Sequence, residues 1–352
     1  MYKNGRGFVM EKTLILSLVL VIFLAVPAIA VEFKAGNLEI ENEYIKNDNG
    51  ESSSETVLKL GLFLNQKIDE RASLFVFTKL HADFNQAEGN TEGTDVFIRK
   101  GWLDVEDAIG PVDLRVGRMD ELTANNLLYS MKVKYEFARL AYNNKIIAIK
   151  AGHNIDADEK TVFTELKLKD LALLDTVTLN YVNADFSVID YNGYSINFLK
   201  NFAKFTTELT YLDVENGELE PNAFDLRLST DKLFPKTKLF FEYANVEMGV
   251  VVNKHKFQDD SILAESTLNQ SDDLKMFRPG FNVDFSDRLN IDFSYAIYEA
   301  DNSDARDNYL DLIFNYDLTK NTYCELEYED HSYDDNAGTD ESIITTSLGV
   351  NF

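Results

Sequence analysis

Apolar and polar residues alternate along most of the chain, and the pattern is clearest in residues 341–352. One side of this segment carries Ile344, Thr346, Leu348, Val350 and Phe352, and the other carries Thr345, Ser347, Gly349 and Asn351. Successive side chains of a β-strand point to opposite faces. A strand with one apolar and one polar face suits the wall of a transmembrane β-barrel, whose outside meets lipid and whose inside meets water.

Similar segments of about ten residues recur along the chain. Leu58, Leu60, Leu62 and Leu64 alternate with polar or small residues, and Leu289, Ile291 and Phe293 do the same. No stretch after residue 30 shows a helical period. The segments predict an all-β, antiparallel, up-and-down transmembrane barrel of 18 strands, or of 16 if one hairpin is lost.

The connections between these segments alternate in length. We expect short turns at 68–71, 107–111, 143–144, 200–203, 233–236, 286–288 and 318–321. We expect polar, mostly longer loops at 46–55, 85–94, 119–131, 154–159, 216–222, 246–274, 300–307 and 332–340. Short periplasmic turns opposite longer extracellular loops are typical of outer-membrane barrels, and a soluble sandwich has no reason for such an alternation.

Two segments fit the predicted barrel less well than the others. The first strand, about 32–45, is the weakest, because Glu39, Glu41 and Glu43 must all point inward. Pro279 falls inside a strand and would require a bulge or a late strand start. If the barrel closes, the last strand pairs with the first, and Phe352 lies outward at the periplasmic rim.

The first 30 residues have the features of a secretory signal peptide. Lys12 precedes an apolar run from Leu14 to Val26, and Ala28-Ile29-Ala30 forms a cleavage site. Met10 is an alternative start to Met1. An uncleaved membrane anchor is the other interpretation, although the apolar run is short for one. We therefore expect a single barrel domain at residues 31–352, exported to the cell outer membrane.

The composition is strongly acidic, with a net charge of −26 over 352 residues. Such a chain is a poor nucleic-acid binder, because phosphate is neutralised by Lys and Arg. Disorder does not fit either, since the chain has 25 Phe and 17 Tyr in alternating positions. The single cysteine, Cys324, excludes an intramolecular disulfide, and it falls on the apolar side of its strand.

The polar faces of the strands predict a negatively charged lumen. The acidic candidates are Asp113, Glu136, Glu165, Glu208, Asp225, Glu242, Asp284, Asp292, Asp311, Glu325 and Glu327. The basic ones are Arg115, Lys134, Lys167, Arg227 and Lys238. Because charges along a pore set its ion preference, we expect a mild preference for cations. The sequence singles out no solute.

Residues 95–142 resemble the strand and loop region of Gram-negative porins, in the runs Asp95–Glu106, Gly110–Met119 and Lys134–Tyr142. They are particularly similar to the barrel of putative porins of diderm Firmicutes, although this chain lacks the S-layer-homology segment of that group. The resemblance implies a passive diffusion channel for small hydrophilic solutes. It also implies a homotrimer, contact with lipopolysaccharide, and recognition of Phe352 by the barrel-assembly machinery.

The resemblance further implies that the third loop, 119–131, folds inward and narrows the pore. Asp120 and Glu121 on that loop would then face basic residues of the wall, for which the candidates are Arg99, Arg115, Arg118, Lys132 and Arg139. Ordinary lumen charges and loop caps are the alternative interpretation for each of these residues.

The sequence leaves two other classes of protein as alternatives. One is an exported soluble β protein or adhesin, although no internal repeat is found. Another is an outer-membrane barrel hydrolase. Its candidate histidines would be His81, His153, His255 and His331, none of which belongs to a nucleophile or metal motif. We expect no enzyme, no cofactor and no metal site.

Overall fold

A computed structural model describes residues 33–352, except 48, 84–93, 120, 124–128, 132–135, 155–159, 186–189, 218, 251–271, 304 and 334–339. The backbone alone is described at 33–35, 81–83, 94–99, 121–123, 129–131, 136, 185 and 190. The predicted signal peptide and His255 lie outside these residues, and the side chain of His81 does too.

Twenty strands are present in the described part of the chain. In order, they are β1 (Phe33–Asn47), β2 (Ser52–Lys67), β3 (Ala72–Asp83), β4 (Thr94–Ile109), β5 (Val112–Arg118), β6 (Glu121–Thr123), β7 (Tyr129–Met131), β8 (Glu136–Asn143), β9 (Ile147–Asn154), β10 (Lys160–Lys169), β11 (Thr176–Asp185), β12 (Asp190–Phe202), β13 (Phe205–Asn216), β14 (Asn222–Phe234), β15 (Thr237–Val246), β16 (Leu274–Asp284), β17 (Leu289–Ala300), β18 (Arg306–Asp317), β19 (Thr322–Tyr333) and β20 (Glu341–Asn351).

Eighteen of these strands form one closed antiparallel sheet, in which each strand pairs with its neighbours along the chain. The remaining two, β6 and β7, form a separate small hairpin between β5 and β8. The predicted count of 18 is therefore confirmed, and the alternative of 16 is wrong. A single closed sheet also rules out the two-sheet sandwich that a soluble β protein would form.

The barrel closes between β20 and β1, as the sequence predicts. Their register runs from Asn37 opposite Asn351 to Asn47 opposite Glu341. The weak first strand also pairs with β2 over most of its length. Its acidic positions, Glu39, Glu41 and Glu43, lie on the inner face, because they alternate with the exposed residues Leu38, Ile40 and Tyr44.

The start of β1 and the end of β20 lie at the end of the barrel where the connections are two to six residues long, and the connections at the other end range from four to 27 residues. The predicted alternation in length is not strict, because the six-residue connection between β10 and β11 is longer than the connections on either side of it. Several short turns place one residue in the left-handed region, such as Gly110 at a φ of 62° and Lys236 at 56°. Glycine adopts this conformation without steric cost, whereas lysine does so at some strain.

The outer face is apolar. Large side chains point outward and are exposed, among them Leu348 at 49%, Ile40 at 47% and Leu326 at 43% of their full area. Cys324 shares the outward side of β19 with Leu326, as predicted. An apolar surface of this extent is unfavourable in water and favourable in lipid. The barrel therefore has the exterior of a membrane-spanning protein.

Pro279 is accommodated differently from the prediction. β16 begins at Leu274 and runs through the proline, and Phe241 of β15 lies opposite it. Toward β17, the pairs on either side of the proline, Phe277–Ile297 and Gly280–Ser294, keep the same register. The prediction of a bulge or a late strand start is therefore wrong. The pairing of β16 with β17 is interrupted at Arg278 and Pro279, because proline has no N–H to donate, but the register is the same on both sides of the interruption.

Candidate pore lining

The register places on the inner face of the barrel all ten predicted lumen acids whose side chains are described. These are Asp113, Glu165, Glu208, Asp225, Glu242, Asp284, Asp292, Asp311, Glu325 and Glu327. Each belongs to the set that alternates with the exposed apolar residues. The reason is the same for every strand, since only the inner face offers water to a charge within the thickness of the membrane.

The inner face of β18, β19, β1 and β2 forms an acidic wall. We define it by Glu39, Glu41, Glu43, Asp311, Glu325, Glu327 and Glu329. Lys59 of β2 lies among them. Its Nζ atom donates to Glu41 and lies 3.9 Å from Oε1 of Glu39. One lysine cannot neutralise seven carboxylates, so this side of the lumen carries a strongly negative potential.

Strand β20 lies between β19 and β1, within the acidic wall, and carries small residues on its inner face. Thr345, Ser347 and Gly349 face inward there. A Cβ atom on Gly349 would lie 2.2 Å from the ring of Tyr323. The glycine therefore lets Tyr323 reach across β20 and donate its hydroxyl hydrogen bond to Glu39 on β1.

A mixed network centred on Glu242 lies on the inner face of β14, β15 and β16, which β17 separates from the acidic wall. This carboxylate is only 2% exposed. Arg227 donates from Nε to its Oε1 at 2.7 Å, and Arg278 donates from Nε to its Oε2 at 3.0 Å. Arg227 also lies 3.3 Å from Asp225. Each charge has a partner of opposite sign, which offsets the cost of removing the carboxylates from water.

A cavity of about 320 Å³ opens beside this network. Its lining includes Glu208, Arg227, Lys238, Glu242 and Arg278, with Phe240 at one side. The guanidinium of Arg278 lies 5.3 Å from the centre of the Phe240 ring. The alternation along the strands predicts the inner positions of Arg227 and Lys238 but not that of Arg278, because Pro279 obscures the phase of β16.

A third group lies on β4 and β5. Arg115 donates to both carboxylate oxygens of Asp104, at 2.6 and 2.9 Å, and Nε1 of Trp102 donates to Asp104 at 2.9 Å. The guanidinium of Arg115 lies 4.6 Å from the centre of the Trp102 ring. Asp104, which the sequence did not single out, is therefore the described partner of Arg115.

The other predicted constriction residues are only partly described. Arg139 lies opposite Arg115 on β8 and shares its inner face. Arg118 lies opposite Gly101 at the end of β5, and the register places it in the outward series with Leu114 and Val116. Asp120, Lys132 and Lys134 lie outside the described residues. The backbone alone is described for Arg99, Glu121 and Glu136. The contact predicted between the loop acids and the basic wall therefore stays a prediction.

Part of the inner face is apolar and buried, contrary to a lumen that is polar throughout. We call it the inner apolar cluster, and it comprises Met119, Phe137, Phe163, Val182, Ala184, Tyr191, Leu212, Val214, Ala223, Ala244, Val246, Val250, Leu274, Met276, Ala296, Tyr298 and Ala300. Fifteen of these positions lie on β8 to β17 toward the end with the longer loops, whereas Met119 follows β5 and Val250 follows β15. Because each of these side chains is at most 7% exposed, this part of the inner face does not line an open lumen.

The two histidines whose side chains are described do not converge. His153 lies on β9 in the outward series, where its Nδ1 is 3.1 Å from the carbonyl oxygen of Thr161. His331 faces inward on β19 and packs edge-on against Tyr309, with ring centres 4.3 Å apart. They lie on opposite faces of the wall, so they cannot share one catalytic site.

No helix among the described residues is long and apolar enough to cross a membrane. No group of three or more His, Cys, Asp and Glu side chains within the described ranges is placed to hold a metal ion.

Solved structures with a similar fold are outer-membrane proteins. The outer membrane protein OpdK from Pseudomonas aeruginosa is 11% identical, with a TM-score of 0.65 over 90% of this chain and 98% of its own. OccK9 (OpdG) from the same organism is 12% identical, with a TM-score of 0.66 over 91% of this chain and 99% of its own. At this identity the likeness establishes the 18-stranded fold alone.

OccK8 (OprE) of Pseudomonas aeruginosa gives the same result, with 10% identity and a TM-score of 0.65 over 90% of this chain and 97% of its own. No protein-family model matches the sequence, and no curated protein matches it. The similarity to porins of diderm Firmicutes stays a prediction.

Proposed function

We propose that this protein is an outer-membrane porin that forms a water-filled channel for passive diffusion of small hydrophilic solutes and ions. The observation that carries the proposal is the closed barrel with opposite faces, apolar outside and charged inside. Eighteen strands enclose more space than the wall side chains fill. The role requires no enzymatic step and no cofactor.

A constriction at the loop after β5 is part of the proposal. Met119, the first residue after β5, is 2% exposed and belongs to the inner apolar cluster. Val250, which follows β15, is fully buried in the same cluster. Both residues leave their strands toward the barrel interior, which supports an inward path for loop 119–131. Asp120, Glu121, Arg99, Arg115 and Arg139 remain its proposed charged residues.

The permeation path then follows the side of the lumen that the inner apolar cluster leaves free. That side includes the acidic wall, whose carboxylates outnumber its one lysine. Cations gather along such a surface and anions are repelled. This asymmetry supports a mild preference for cations.

A second candidate function is selective uptake of organic acids. Among the similar structures are OpdK with vanillate and OccK2 (OpdF) in complex with glucuronate. Both compounds carry a carboxylate. In this chain the cavity beside Glu242 presents Arg227, Lys238 and Arg278, which are donors suited to that group.

Export, assembly and oligomeric state complete the proposal. We infer cleavage after Ala30, recognition of Phe352 by the assembly machinery, and a homotrimer in contact with lipopolysaccharide. Mass spectrometry of the purified protein tests the cleavage. Chemical cross-linking in detergent tests the trimer, for which bands no larger than a monomer would count against it.

Liposome swelling with uncharged sugars of increasing size tests the channel and its constriction together. Vesicles containing the protein should admit small sugars and exclude larger ones. Met119→Ala should raise the size limit, because the buried anchor of the loop is lost. Met248→Ala, at a methionine that is 37% exposed, is the matched control and should leave the limit unchanged. No swelling with any sugar would contradict the proposal.

A further inference from the structure

Large aromatic side chains form a row on the inner face of β2, β3 and β4. Phe63 of β2 lies opposite Phe77 of β3, and Phe75 of β3 lies opposite Trp102 of β4. The register puts all four on the side of Lys59 and Asp104, which face the lumen. All four are partly exposed. Aromatic rings are unexpected on an exposed face that meets water.

Each ring of the row contacts its neighbour, and the four rings form two stacked pairs. Phe63 and Phe77 have ring centres 4.4 Å apart and planes within 12° of parallel. Phe75 and Trp102 have centres 4.1 Å apart and planes within 21°. Phe63 and Phe75 join the two pairs at 6.4 Å. The row thus continues across three strands.

The faces of Trp102 are covered on both sides. Phe75 approaches from β3, and the guanidinium of Arg115 approaches from β5, on the other side of β4. Asp104 accepts two hydrogen bonds from Arg115, which hold the guanidinium in place, and it also accepts a hydrogen bond from the indole N–H of Trp102. Each ring of the row therefore has at least one face covered by a neighbour, and both faces of Trp102 are covered, which leaves ring edges available to a solute.

Ring edges select one kind of solute. An aromatic ring carries partial positive charge at its edge and partial negative charge on its face, so edges attract the face of another aromatic ring. A saturated ring offers no such face. We propose that the row Phe63, Phe75, Phe77 and Trp102 is a binding site for solutes that carry a planar aromatic ring. The inference rests on the proposed channel, because it places the site along the path of diffusion.

Trp102 gives a direct test, because it is the only tryptophan in the chain. Its fluorescence in the refolded, detergent-purified protein should be quenched saturably by 4-nitro-L-phenylalanine. L-phenylalanine should relieve the quenching by competition. L-cyclohexylalanine, which has the same backbone groups and a saturated ring, should compete about threefold more weakly or worse, the size expected for one aromatic contact.

Variants separate the site from the rest of the barrel. Phe75→Leu and Phe63→Leu should each weaken competition by L-phenylalanine about threefold or more. Phe281→Leu is the matched control, since Phe281 stacks on Phe293 at 5.2 Å on the outer face. It should bind like the unaltered chain. The unheated gel mobility of each variant verifies that the barrel has formed.

The outcomes distinguish this inference from the proposed function. Quenching that is not saturable, or equal competition by the two amino acids, would overturn the aromatic site even if the protein conducts ions. Saturable and ring-dependent quenching in a protein that forms no channel would support the site and contradict the porin. In a conducting channel, L-phenylalanine should also block the current more strongly than L-cyclohexylalanine.

Discussion

Gly36 and Phe352 close the barrel at the end with the short turns. The amide of Gly36 donates to the carbonyl oxygen of Phe352 at 2.7 Å, and the amide of Phe352 donates back at 2.9 Å. A Cβ atom on Gly36 would lie 2.6 Å from the Phe352 ring, so the glycine leaves room for the ring on the outer face. Phe352 is 59% exposed there. The outward position predicted for Phe352 is confirmed.

The closure can be tested by cross-linking across β1 and β20. Ile40 and Leu348 are partners in the register and both point outward. Cysteines at these positions, in a Cys324→Ser background, should form a disulfide under mild oxidation, because paired residues fall within the Cα separation of about 4.4–6.8 Å that the bond requires. A faster-migrating denatured band without reductant would show the link.

The control pair is Ile40→Cys with Ile344→Cys. Ile344 is also outward but lies four residues along β20, about 13 Å away. It should not cross-link. Efficient cross-linking of the control pair, or none of the test pair, would mean that the strands close in a different register or remain apart.

Glu242 should matter more to stability than any exposed ion pair. Glu242→Gln removes the charge that Arg227 and Arg278 share. We expect the free energy of unfolding in lipid vesicles to fall by about 2–3 kcal/mol, less than a fully buried pair because both arginines are partly exposed. Urea titration followed by Trp102 fluorescence measures it.

Glu299→Gln is the control for that substitution. Glu299 lies 4.0 Å from Arg306, and both side chains are about half exposed. Such pairs contribute about 0–1 kcal/mol. Equal losses in the two variants would show that Glu242 has no special structural role.

The acidic wall should set the ion preference. Glu325→Gln and Glu327→Gln together should lower the ratio of cation to anion permeability, whereas Lys59→Gln should raise it. The reversal potential in a KCl gradient reports both changes. Glu70→Gln together with Glu220→Gln, two exposed carboxylates in connections outside the strands, removes the same charge away from the wall and controls for net charge alone. A shift of the same size in this control would assign the preference to total charge rather than to the wall.

Asp272 should make one loop junction sensitive to acid. Burial raises the pKa of Asp272, but hydrogen bonds from Ser303, Asn302 and Asp273 outweigh it and hold the pKa below the ordinary value of 3.8. A lowered pKa stabilises the fold above the pKa of the unfolded chain, and the contribution is lost as pH falls through the folded value. The junction therefore stabilises the protein at neutral pH.

Asp272→Asn tests this sign. The midpoint of the heat-induced gel shift should be lower in the variant at pH 7 and at pH 5 by the same amount. The difference should shrink below about pH 4, where the carboxylate of the unaltered chain becomes protonated. A difference that grows on acidification would contradict the assignment.

The strand positions were predictable because lipid and water act on opposite faces of every strand. That constraint forces apolar and polar residues to alternate in segments such as Leu58–Leu64 and Ile344–Val350. It also fixes the inner position of Glu39 in β1, where the alternation is weak. The strand count followed from the same signal. These features depend only on local sequence, which is why they could be found without a structure.

The site was less predictable because its contacts join distant strands. Glu242 meets Arg278 from a strand that begins 28 residues after β15 ends, with Pro279 beside it. Leu212 and Met276 face inward as members of the inner apolar cluster, and the alternation on their own strands gives no sign of that cluster. Asp104 pairs with Arg115 in a register that only the structure supplies.

Single-channel recording in a planar lipid bilayer tests the central claim most directly. The refolded protein should insert and conduct in discrete, stable steps, with a reversal potential in a KCl gradient that favours cations. Heat-denatured protein should give no steps. A barrel that migrates as folded on an unheated gel, inserts into the bilayer and passes no current would contradict a water-filled channel.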